Sequence, residues 1–305
     1  MSGDYILCGM RVRSELPLPE LLPWRGGDRP PDVEISFGSI EEPAGPPIFT
    51  RPFSRLWGGG AYLLELSGVG RFFVEAGRKI LLEPASGAQE SELGLFVLST
   101  CLAVLCHQRG LYPLHASSVR VDGGAVLFAG DTGRGKSALS AVLDAHGYPL
   151  LSDDVSVVDP SGPHLLPTFP QFKLSPDVGE ALGLQQDGMQ STRPGTIKLR
   201  VPARGDFDSA PVPLLAIYIF GWGMSDKIGE ITRLPPALAL AQLTAQLYRR
   251  ASGVRIQSEP ALFKSTSMIA QTVPIYLLPV GSGPLSSLGM LAERVVTHFK
   301  AKEKS

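Results

Sequence analysis

The residues best suited to chemistry lie at positions 130–137, where the sequence reads GDTGRGKS. Gly130, Gly135, Lys136 and Ser137 match the pattern G-x-x-x-x-G-K-[ST], and Gly133 gives the loop an additional residue without a side chain. An apolar run precedes the loop and an amphipathic run follows it, which is typical of a loop between a strand and a helix. Backbone N–H groups of such a loop point at one centre beside the positive end of the helix dipole. The stretch therefore predicts a phosphate site.

We expect this phosphate site to hold a nucleoside triphosphate. Lys136 offers a flexible positive charge to the β- and γ-phosphates, and Ser137 offers its hydroxyl to the Mg²⁺ that bridges them. ATP and Mg²⁺ are therefore the expected cofactors. The residues expected to contact the nucleotide are Gly130, Asp131, Thr132, Gly133, Arg134, Gly135, Lys136, Ser137 and Ala138.

A pair of carboxylates follows the phosphate loop in LLSDD, with Asp153 lying 17 residues after Lys136. The apolar residues around the pair predict one strand, in which neighbouring side chains face opposite sides of the sheet. One carboxylate, Asp153 or Asp154, is enough to hold the metal, usually through a water molecule. The other either accepts the proton of an attacking hydroxyl, as in phosphoryl transfer to an alcohol, or belongs to a metal pair in which neither acid is a base.

Further titratable residues flank these motifs. His115, in PLHASS, begins the strand before the phosphate strand, so it either lies near the transferred phosphoryl group or is an ordinary core histidine. Lys198, Arg200 and Arg204 belong to a basic segment, residues 193–210, that reads as a loop. Each of these cations either neutralises charge in the transition state or is simply exposed to solvent.

The elements that must position these residues change in type along the chain. Residues 1–90 predict a β-rich domain, in which Val33, Ile35 and Phe37 share one face of a strand and residues 61–84 form a three-stranded meander. A helix is expected over residues 90–108.

Residues 91–305 predict a second domain built around the phosphate loop, with a mixed sheet and flanking helices. One of these helices is expected over residues 236–250, with Leu240, Leu243 and Leu247 inward, and another over residues 285–300. The expected fold class is therefore α+β followed by α/β.

Composition narrows the range of partners. The 305 residues carry 28 Lys and Arg against 29 Asp and Glu, a formal net charge of −1 that gives no reason to expect nucleic acid or an anionic membrane. The apolar stretch 93–106 is shorter than the roughly 20 residues that cross a bilayer, so a buried helix is expected there. Three cysteines without metal-ligand spacing, and a first segment without a secretory pattern, predict the reducing cytoplasm.

The stretch HASSVRVDGGAVLFAGDTGRGKSALSAVLDAHGYPLLSDDVSVV resembles the catalytic core of HPr kinase/phosphorylase, in which a histidine, a short strand pair, GDSGxGKS and a strand ending in ADD follow in that order. Asp131 matches the family's GDS, whereas Thr132 replaces its serine and Ser152 replaces the alanine before the acids. The resemblance is strong over residues 110–160 and loose as far as residue 297.

This resemblance implies an HPr kinase-like catalytic domain. It also implies that Asp153 is the catalytic acid and base, that Asp154 is its metal-side neighbour and that His115 is an active-site residue. The loop motif itself predicts a catalytic role for Lys136 and a metal contact for Ser137.

The order GMRVRSELPLPEL, PDVEIS, kinase core and PTFPQFKLSPDVGEALG is similar to the HPr kinase-like proteins associated with lasso peptide biosynthesis. Those proteins phosphorylate a serine at the C-terminus of the precursor peptide. The resemblance therefore implies an ATP-dependent serine kinase that acts on a peptide or small protein. Residues 1–90 do not resemble the regulatory domain of the bacterial carbon-control enzyme, so regulation of sugar uptake is not implied.

Two other functions fit the same residues. A kinase for a small hydroxylated metabolite would use the same phosphate loop and base. A nucleotide-gated binding module would recruit a partner through the N-terminal β-domain and use slow hydrolysis as a timer. The sequence leaves open the acceptor, the oligomeric state, the reverse (phosphorylase) reaction and the base preference of the nucleotide.

Overall fold

A computed structural model describes residues 2–183, 198–222, 229–280 and 287–303. The chain divides into two compact units, the first comprising Met1–Pro113 with Leu247–Ser265 and the second Leu114–Gln246 with Thr266–Ser305. The domain boundary expected near residue 90 falls inside the first unit, because the helix that follows it packs on the first sheet. The chain also returns to the first unit once, which no local sequence pattern indicated.

The strands are β1 Gly3–Leu7, β2 Met10–Ser14, β3 Leu22–Pro23, β4 Val33–Phe37, β5 Phe49–Arg51, β6 Ser54–Leu56, β7 Tyr62–Leu66, β8 Gly70–Glu75, β9 Lys79–Pro84, β10 Tyr112–Leu114, β11 Ala116–Val121, β12 Gly124–Ala129, β13 Leu150–Ser152, β14 Ser156–Asp159, β15 His164–Leu166, β16 Gln171–Leu174, β17 Leu199–Pro202, β18 Val212–Trp222, β19 Thr232–Arg233 and β20 Ile275–Val280. The helices are α1 Glu90–Phe96, α2 Leu102–Gln108, α3 Lys136–Ala145, α4 Pro176–Ala181, α5 Pro236–Ala245, α6 Arg250–Gln257, α7 Glu259–Thr272 and α8 Ser287–Glu303. A 3-10 turn spans Gly58–Gly60, and a π-helical turn, Val97–Cys101, joins α1 to α2.

The first unit contains one sheet with the strand order β3-β1-β2-β4-β9-β8-β7-β6-β5. The strands from β9 to β5 pair antiparallel, and β4 pairs parallel with both β2 and β9. The predicted meander over residues 61–84 is confirmed as β7, β8 and β9. In β4, Val33 and Ile35 are buried as expected, whereas Phe37 is 39% exposed because the strand ends there.

The helix predicted over residues 90–108 is confirmed as α1, the π-helical turn and α2. A capping box formed by Gln89 and Glu92 begins it. Among the described residues it is the one helix long and apolar enough to cross a membrane, yet 72% of its most apolar stretch is buried inside the protein. The ring of Phe96 packs against Phe72 of β8, with 5.9 Å between centroids. This helix therefore packs as a core helix of the first unit.

The returning segment 247–265 is attached to the first unit by buried polar contacts. The His107 ring Nε2 lies 2.8 Å from the Tyr248 carbonyl oxygen, and the Gln257 amide donates to the Leu111 carbonyl oxygen at 2.8 Å. His107 is buried, and burial lowers its pKa to about 4, so the ring is neutral at physiological pH. The Gln108 amide of α2 also donates to the Gly60 and Val74 carbonyl oxygens. The Arg255 guanidinium lies over the Phe49 ring, so a deletion of residues 1–90 would remove partners of both α2 and this segment.

The second unit places three parallel strands side by side, in the order β12-β18-β20. Strand β11 pairs antiparallel with β12 through a two-residue turn, and β13 pairs antiparallel with β11. Helices α3 and α8 contribute Leu139 and Val295 to the apolar core beside the sheet. A separate two-stranded ribbon, β16 and β17, packs Phe172 and Val201 against α3.

Two predicted elements differ from the structure. The helix expected over residues 236–250 ends at Ala245, where the backbone of Gln246 leaves the helical conformation and its carbonyl oxygen accepts the His115 N–H. A new helix, α6, begins at Arg250, after Arg249 in a left-handed conformation. Leu243 and Leu247 are buried as predicted, whereas Leu240 is only partly buried. The basic segment read as a loop contains strand β17, and its residues 193–197 lie outside the described part of the chain.

Candidate active site

The phosphate loop lies where the sequence predicts it, between the end of β12 at Ala129 and the start of α3 at Lys136. Gly133 and Gly135 have φ angles of 82° and 92°, a region that residues with a Cβ adopt only with strain. Both glycines let the loop turn back on itself before the helix begins. The first turn of α3 therefore presents its free N–H groups to the mouth of the loop, where an anion is favoured.

Lys136 lies inside the loop and binds its carbonyl groups. The ammonium donates to the Gly130 carbonyl oxygen at 2.7 Å and to the Asp131 carbonyl oxygen at 2.9 Å, and the residue is 6% exposed. Burial lowers its pKa to about 8, although the nearby carboxylates of Asp153 and Asp154 favour the charged form. Lys136 is thus mostly protonated at neutral pH, and a phosphate entering the loop would offer it a stronger acceptor than a carbonyl group.

The other loop residues divide into exposed and buried groups. Asp131, Thr132 and Gly133 are exposed at the mouth, and the Arg134 guanidinium lies 3.8 Å from the Asp131 carboxylate. Ala138 is buried, with its methyl group in an apolar cluster, so only its backbone N–H can serve a ligand.

The acid pair lies in a turn, not in a continuous strand. Strand β13 ends at Ser152 and β14 begins at Ser156, and Asp154 between them has a φ angle of 70°. The expectation that the two carboxylates face opposite sides of a sheet is therefore wrong. The buried Ser152 hydroxyl bonds the Ser118 hydroxyl at 2.9 Å, which ties the end of β13 to β11 and fixes where the turn begins.

Asp153 is the buried member of the pair, at 3% exposure. Its Oδ2 accepts a hydrogen bond from the Lys173 backbone N–H at 2.9 Å. Its Oδ1 is buried and accepts no hydrogen bond of normal geometry within the described residues, although the Ser137 hydroxyl lies near enough to favour the ionised form. Burial raises the pKa of Asp153 above the usual range, and the Lys173 N–H only partly opposes this.

Asp154 has the opposite electrostatic environment. Its Oδ2 accepts a hydrogen bond from the Lys173 ammonium at 2.7 Å, and its Oδ1 lies 3.5 Å from the His115 ring. Burial opposes ionisation of this carboxyl, but the Lys173 ammonium outweighs that effect and lowers the pKa of Asp154. The two adjacent acids therefore differ in proton affinity, with the higher affinity at Asp153.

His115 joins the acid turn to the phosphate loop. Its Nδ1 lies 3.2 Å from the Asp154 carbonyl oxygen, and its Nε2 lies 3.2 Å from the Thr132 hydroxyl. Burial, together with the Lys136 charge, lowers the pKa of His115, so the ring is neutral at pH 7. Because a carbonyl oxygen only accepts, the proton of the neutral ring belongs on Nδ1, and Nε2 accepts from Thr132. The structure thus brings this histidine into the site.

Of the cations considered from the sequence, the structure brings two to this region. Lys198 lies close enough to disfavour the charged form of Lys136 and to favour that of Asp154. Arg200 stands directly across the ribbon from Lys173, so the two side chains share a face. Arg204 lies elsewhere, because its backbone N–H bonds the Asp144 carboxylate and its guanidinium bonds the Leu182 carbonyl oxygen.

Lys173 is the residue that the sequence analysis missed, since no role was assigned to it. The signal was present in QFKL, where the lysine alternates with Phe172 and Leu174. Both neighbours are buried in the apolar cluster against α3, which directs the lysine to the opposite face of the strand. What the sequence could not show is that this face meets the acid turn.

The residues of the site fit a magnesium ion that would arrive with a nucleotide. Within the described residues, no group of three or more His, Cys, Asp or Glu side chains could hold a metal alone. The Ser137 hydroxyl and the two carboxylates of the acid turn are hard oxygen groups of the kind Mg²⁺ prefers, and the orphaned Oδ1 of Asp153 shows that protein donors do not satisfy all of them.

Nucleotide binding is expected to weaken above pH 8, because Lys136 loses its proton there. With a pKa of about 8, and if only the protonated loop binds phosphate, the Kd for Mg-ATP should rise about tenfold between pH 7 and pH 9. Isothermal titration calorimetry across this range measures the effect. Lys136→Arg is the matched control, because a guanidinium stays charged and its Kd should stay flat. A wild-type Kd that is constant up to pH 9 would contradict this account of the loop.

Comparisons with known proteins give little beyond this geometry. No protein-family model matches the sequence, and no curated protein matches it. Among solved structures, the Hpr(Ser) kinase/phosphatase from Coxiella burnetii is similar to this chain, with 14% sequence identity and a TM-score of 0.34, over 63% of this chain and 99% of that chain. So distant a similarity supports no conclusion about function, and the chemistry follows from the contacts of the site itself.

Proposed function

We propose that this chain is a kinase that transfers the γ-phosphoryl group of ATP, bound with Mg²⁺, to a serine hydroxyl of a peptide or small protein. The observation that carries the proposal is that the phosphate loop and the acid turn meet through His115, which contacts Thr132 on one side and Asp154 on the other. A protein that only binds a nucleotide needs one carboxylate near its metal. Here a second carboxylate of higher proton affinity lies beside the first.

In this reaction Asp153 is the proton acceptor. Its Oδ1 has open acceptor capacity, and burial raises its affinity for a proton. The serine oxygen attacks the γ-phosphorus, its proton passes to Asp153, and the bond from phosphorus to the bridging oxygen of ATP breaks to release ADP. Lys136 moves from the carbonyl groups of the loop to the phosphate oxygens, where its charge stabilises the transition state.

When bound, Mg²⁺ would neutralise charge on the β- and γ-phosphates. Ser137 would hold it directly, and Asp154, kept ionised by Lys173, would face it through water. One contact favours the reverse assignment of the two acids, because Asp153 is the carboxylate that lies near Ser137. In that second arrangement Asp153 serves the metal and Asp154 takes the proton.

A peptide acceptor is favoured over a small metabolite by the order of sequence motifs that this chain shares with lasso peptide kinases. One of those motifs is PTFPQFKLSP, which supplies Lys173 to the acid turn. We extend the proposal to the C-terminal serine of a lasso precursor peptide, with the reaction taking place in the cytoplasm. The near-zero net charge supports no role for nucleic acid.

The test is incubation of the purified chain with Mg-ATP and a precursor peptide encoded beside its gene, followed by mass spectrometry. The same peptide with its C-terminal serine replaced by alanine is the control. We expect one added phosphate on the first peptide and none on the second. Phosphate appearing on small alcohols alone would favour the metabolite kinase. Release of inorganic phosphate with no phosphorylated product would favour the nucleotide-gated binding module and overturn the proposal.

A further inference from the structure

A single residue of the β16–β17 ribbon holds both carboxylates of the acid turn. The backbone N–H of Lys173 donates to Asp153 at 2.9 Å, and its ammonium donates to Asp154 at 2.7 Å. The lysine side chain is 15% exposed and that of Asp154 is 23% exposed, so the ion pair is largely shielded from water. Shielding makes such a pair stronger than one at the surface.

The ribbon itself holds the backbone of Lys173 in place. Strands β16 and β17 pair antiparallel over four residues each, with Lys173 opposite Arg200. Phe172 and Leu174, on either side of the lysine, are each 2% exposed in the apolar cluster against α3. The position of the Lys173 N–H is therefore set by packing and strand pairing, independently of its side chain.

The two contacts act on the two acids differently. A neutral N–H restrains Asp153 without adding a full charge, whereas the ammonium gives Asp154 a full positive partner. The backbone of Asp154 has a φ angle of 70°, in a region that non-glycine residues seldom adopt, so this conformation depends on the contacts that hold the turn. Lys198 also favours the charged form of Asp154, but the Lys173 ammonium is the cation that is hydrogen-bonded to the carboxylate in the described contacts.

We propose that Lys173 is a positioning residue that holds the acid turn in its reactive arrangement, restraining Asp153 through its backbone N–H and Asp154 through its ammonium. The kinetic part of this inference rests on the proposed phosphoryl transfer. The part that concerns the position of the Asp154 carboxylate does not.

The first experiment needs no activity. Lys173→Met keeps the length of the side chain and the backbone N–H but removes the charge. The crystal structure of this variant should show the Asp154 carboxylate displaced from its place beside His115, while Asp153 still accepts from the backbone N–H of residue 173. Lys173→Arg should restore the position of Asp154. Arg120→Met, which removes a surface ion pair with Asp208 in the same unit, is the control and should leave the acid turn unchanged.

The second experiment measures transfer at saturating Mg-ATP. Lys173→Met should lower kcat by between about tenfold and a hundredfold, as expected for misplacement of reactive groups, and should raise the Mg²⁺ concentration needed for activity in the same direction as Asp154→Asn. Lys173→Arg should recover most of the lost kcat. Combined with Asp154→Asn, the same substitution should have much less effect than it has alone, because the group through which it acts has gone.

Each result decides part of the inference. An Asp154 carboxylate that keeps its place in Lys173→Met overturns the inference whether or not the chain is a kinase. If the wild-type chain transfers phosphate and Lys173→Met does so with an unchanged kcat, the positioning role is overturned. If the wild-type chain transfers no phosphate and the Asp154 carboxylate is displaced in Lys173→Met, the proposed function is overturned and the structural role of Lys173 is supported.

Discussion

Replacement of Lys136 by methionine is expected to lower single-turnover phosphoryl transfer by about 10³-fold or more, because it removes a positive charge from the point where negative charge grows in the transition state. The ammonium lies inside the phosphate loop, within hydrogen-bonding distance of the Gly130 and Asp131 carbonyl oxygens. It is therefore already placed where the phosphates would enter. Rapid-quench measurement of phosphopeptide formation at saturating Mg-ATP isolates this step.

The fold should survive this substitution. Burial lowers the pKa of Lys136 to about 8, which means that the folded chain holds the charged lysine at some cost in free energy. Methionine removes that cost but leaves two loop carbonyl groups without their donor, so the two effects on the free energy of unfolding oppose each other. Thermal unfolding followed by circular dichroism is the control. Near-normal transfer in a well-folded variant would exclude Lys136 from the mechanism.

The phosphate loop was predictable because its chemistry is local. Three glycines, a lysine and a serine within eight residues, 130–137, determine the loop, the helix start and the position of the ammonium together. The structure confirms the strand before the loop and the helix after it. The long apolar helix over residues 90–108 was predictable for a similar reason, since its apolar content and length are contained in one continuous segment.

The acid turn was only partly predictable, because its geometry depends on residues far away in the sequence. The pattern LLSDDVSVV has the apolar content of one strand, and nothing in it shows that Asp154 adopts a left-handed conformation. The turn is fixed by Ser118, 34 residues before Ser152, and by Lys173, 20 residues after Asp153. Such non-local contacts leave no periodic signal in the sequence.

The return of residues 247–265 to the first unit was not predictable for the same reason. His107 and Gln257 lie 150 residues apart, yet their side chains are in contact at 3.2 Å. The N-terminal β-domain, through which a nucleotide-gated module would recruit a partner, is therefore part of a larger folded unit. Deletion of residues 1–90 would remove contacts of α2, so loss of function in that variant would report unfolding, and single surface substitutions in the first unit are the better test of partner recruitment.

The second large loss of phosphoryl transfer is expected from substitution of the acid pair. Asp153→Asn is expected to lower transfer by about 10³-fold while Mg-ATP binds with nearly the wild-type Kd, because an amide cannot take the proton of the serine hydroxyl. Asparagine has the same shape as aspartate, and with its Oδ1 accepting from the Lys173 N–H its Nδ2 takes the position near Ser137, so the fold should be retained. Asp154→Asn should instead weaken binding of Mg-ATP and raise the Mg²⁺ concentration needed for activity, because one negative charge near the cation is lost.

Asp153→Asn and Asp154→Asn distinguish the two assignments of proton acceptor and metal ligand, because Lys173 contacts Asp153 through its backbone N–H and Asp154 through its ammonium. In Asp153→Asn the backbone N–H of Lys173 keeps its acceptor, so a collapse of transfer reports proton acceptance and not a displaced turn. In Asp154→Asn the ammonium loses its charged partner, and Lys173→Met with Asp154→Asn removes that unpaired charge as a control. Calorimetric titration with Mg-ATP, beside a single-turnover assay of all three variants, distinguishes the outcomes.

If Asp153→Asn loses Mg-ATP binding while Asp154→Asn binds normally and fails to transfer, the roles are exchanged, and the proximity of Asp153 to Ser137 identifies the metal side. If both variants transfer phosphate at the wild-type rate, neither carboxylate is the base, and the neutral His115 ring, whose Nε2 faces the phosphate loop, becomes the group to test next.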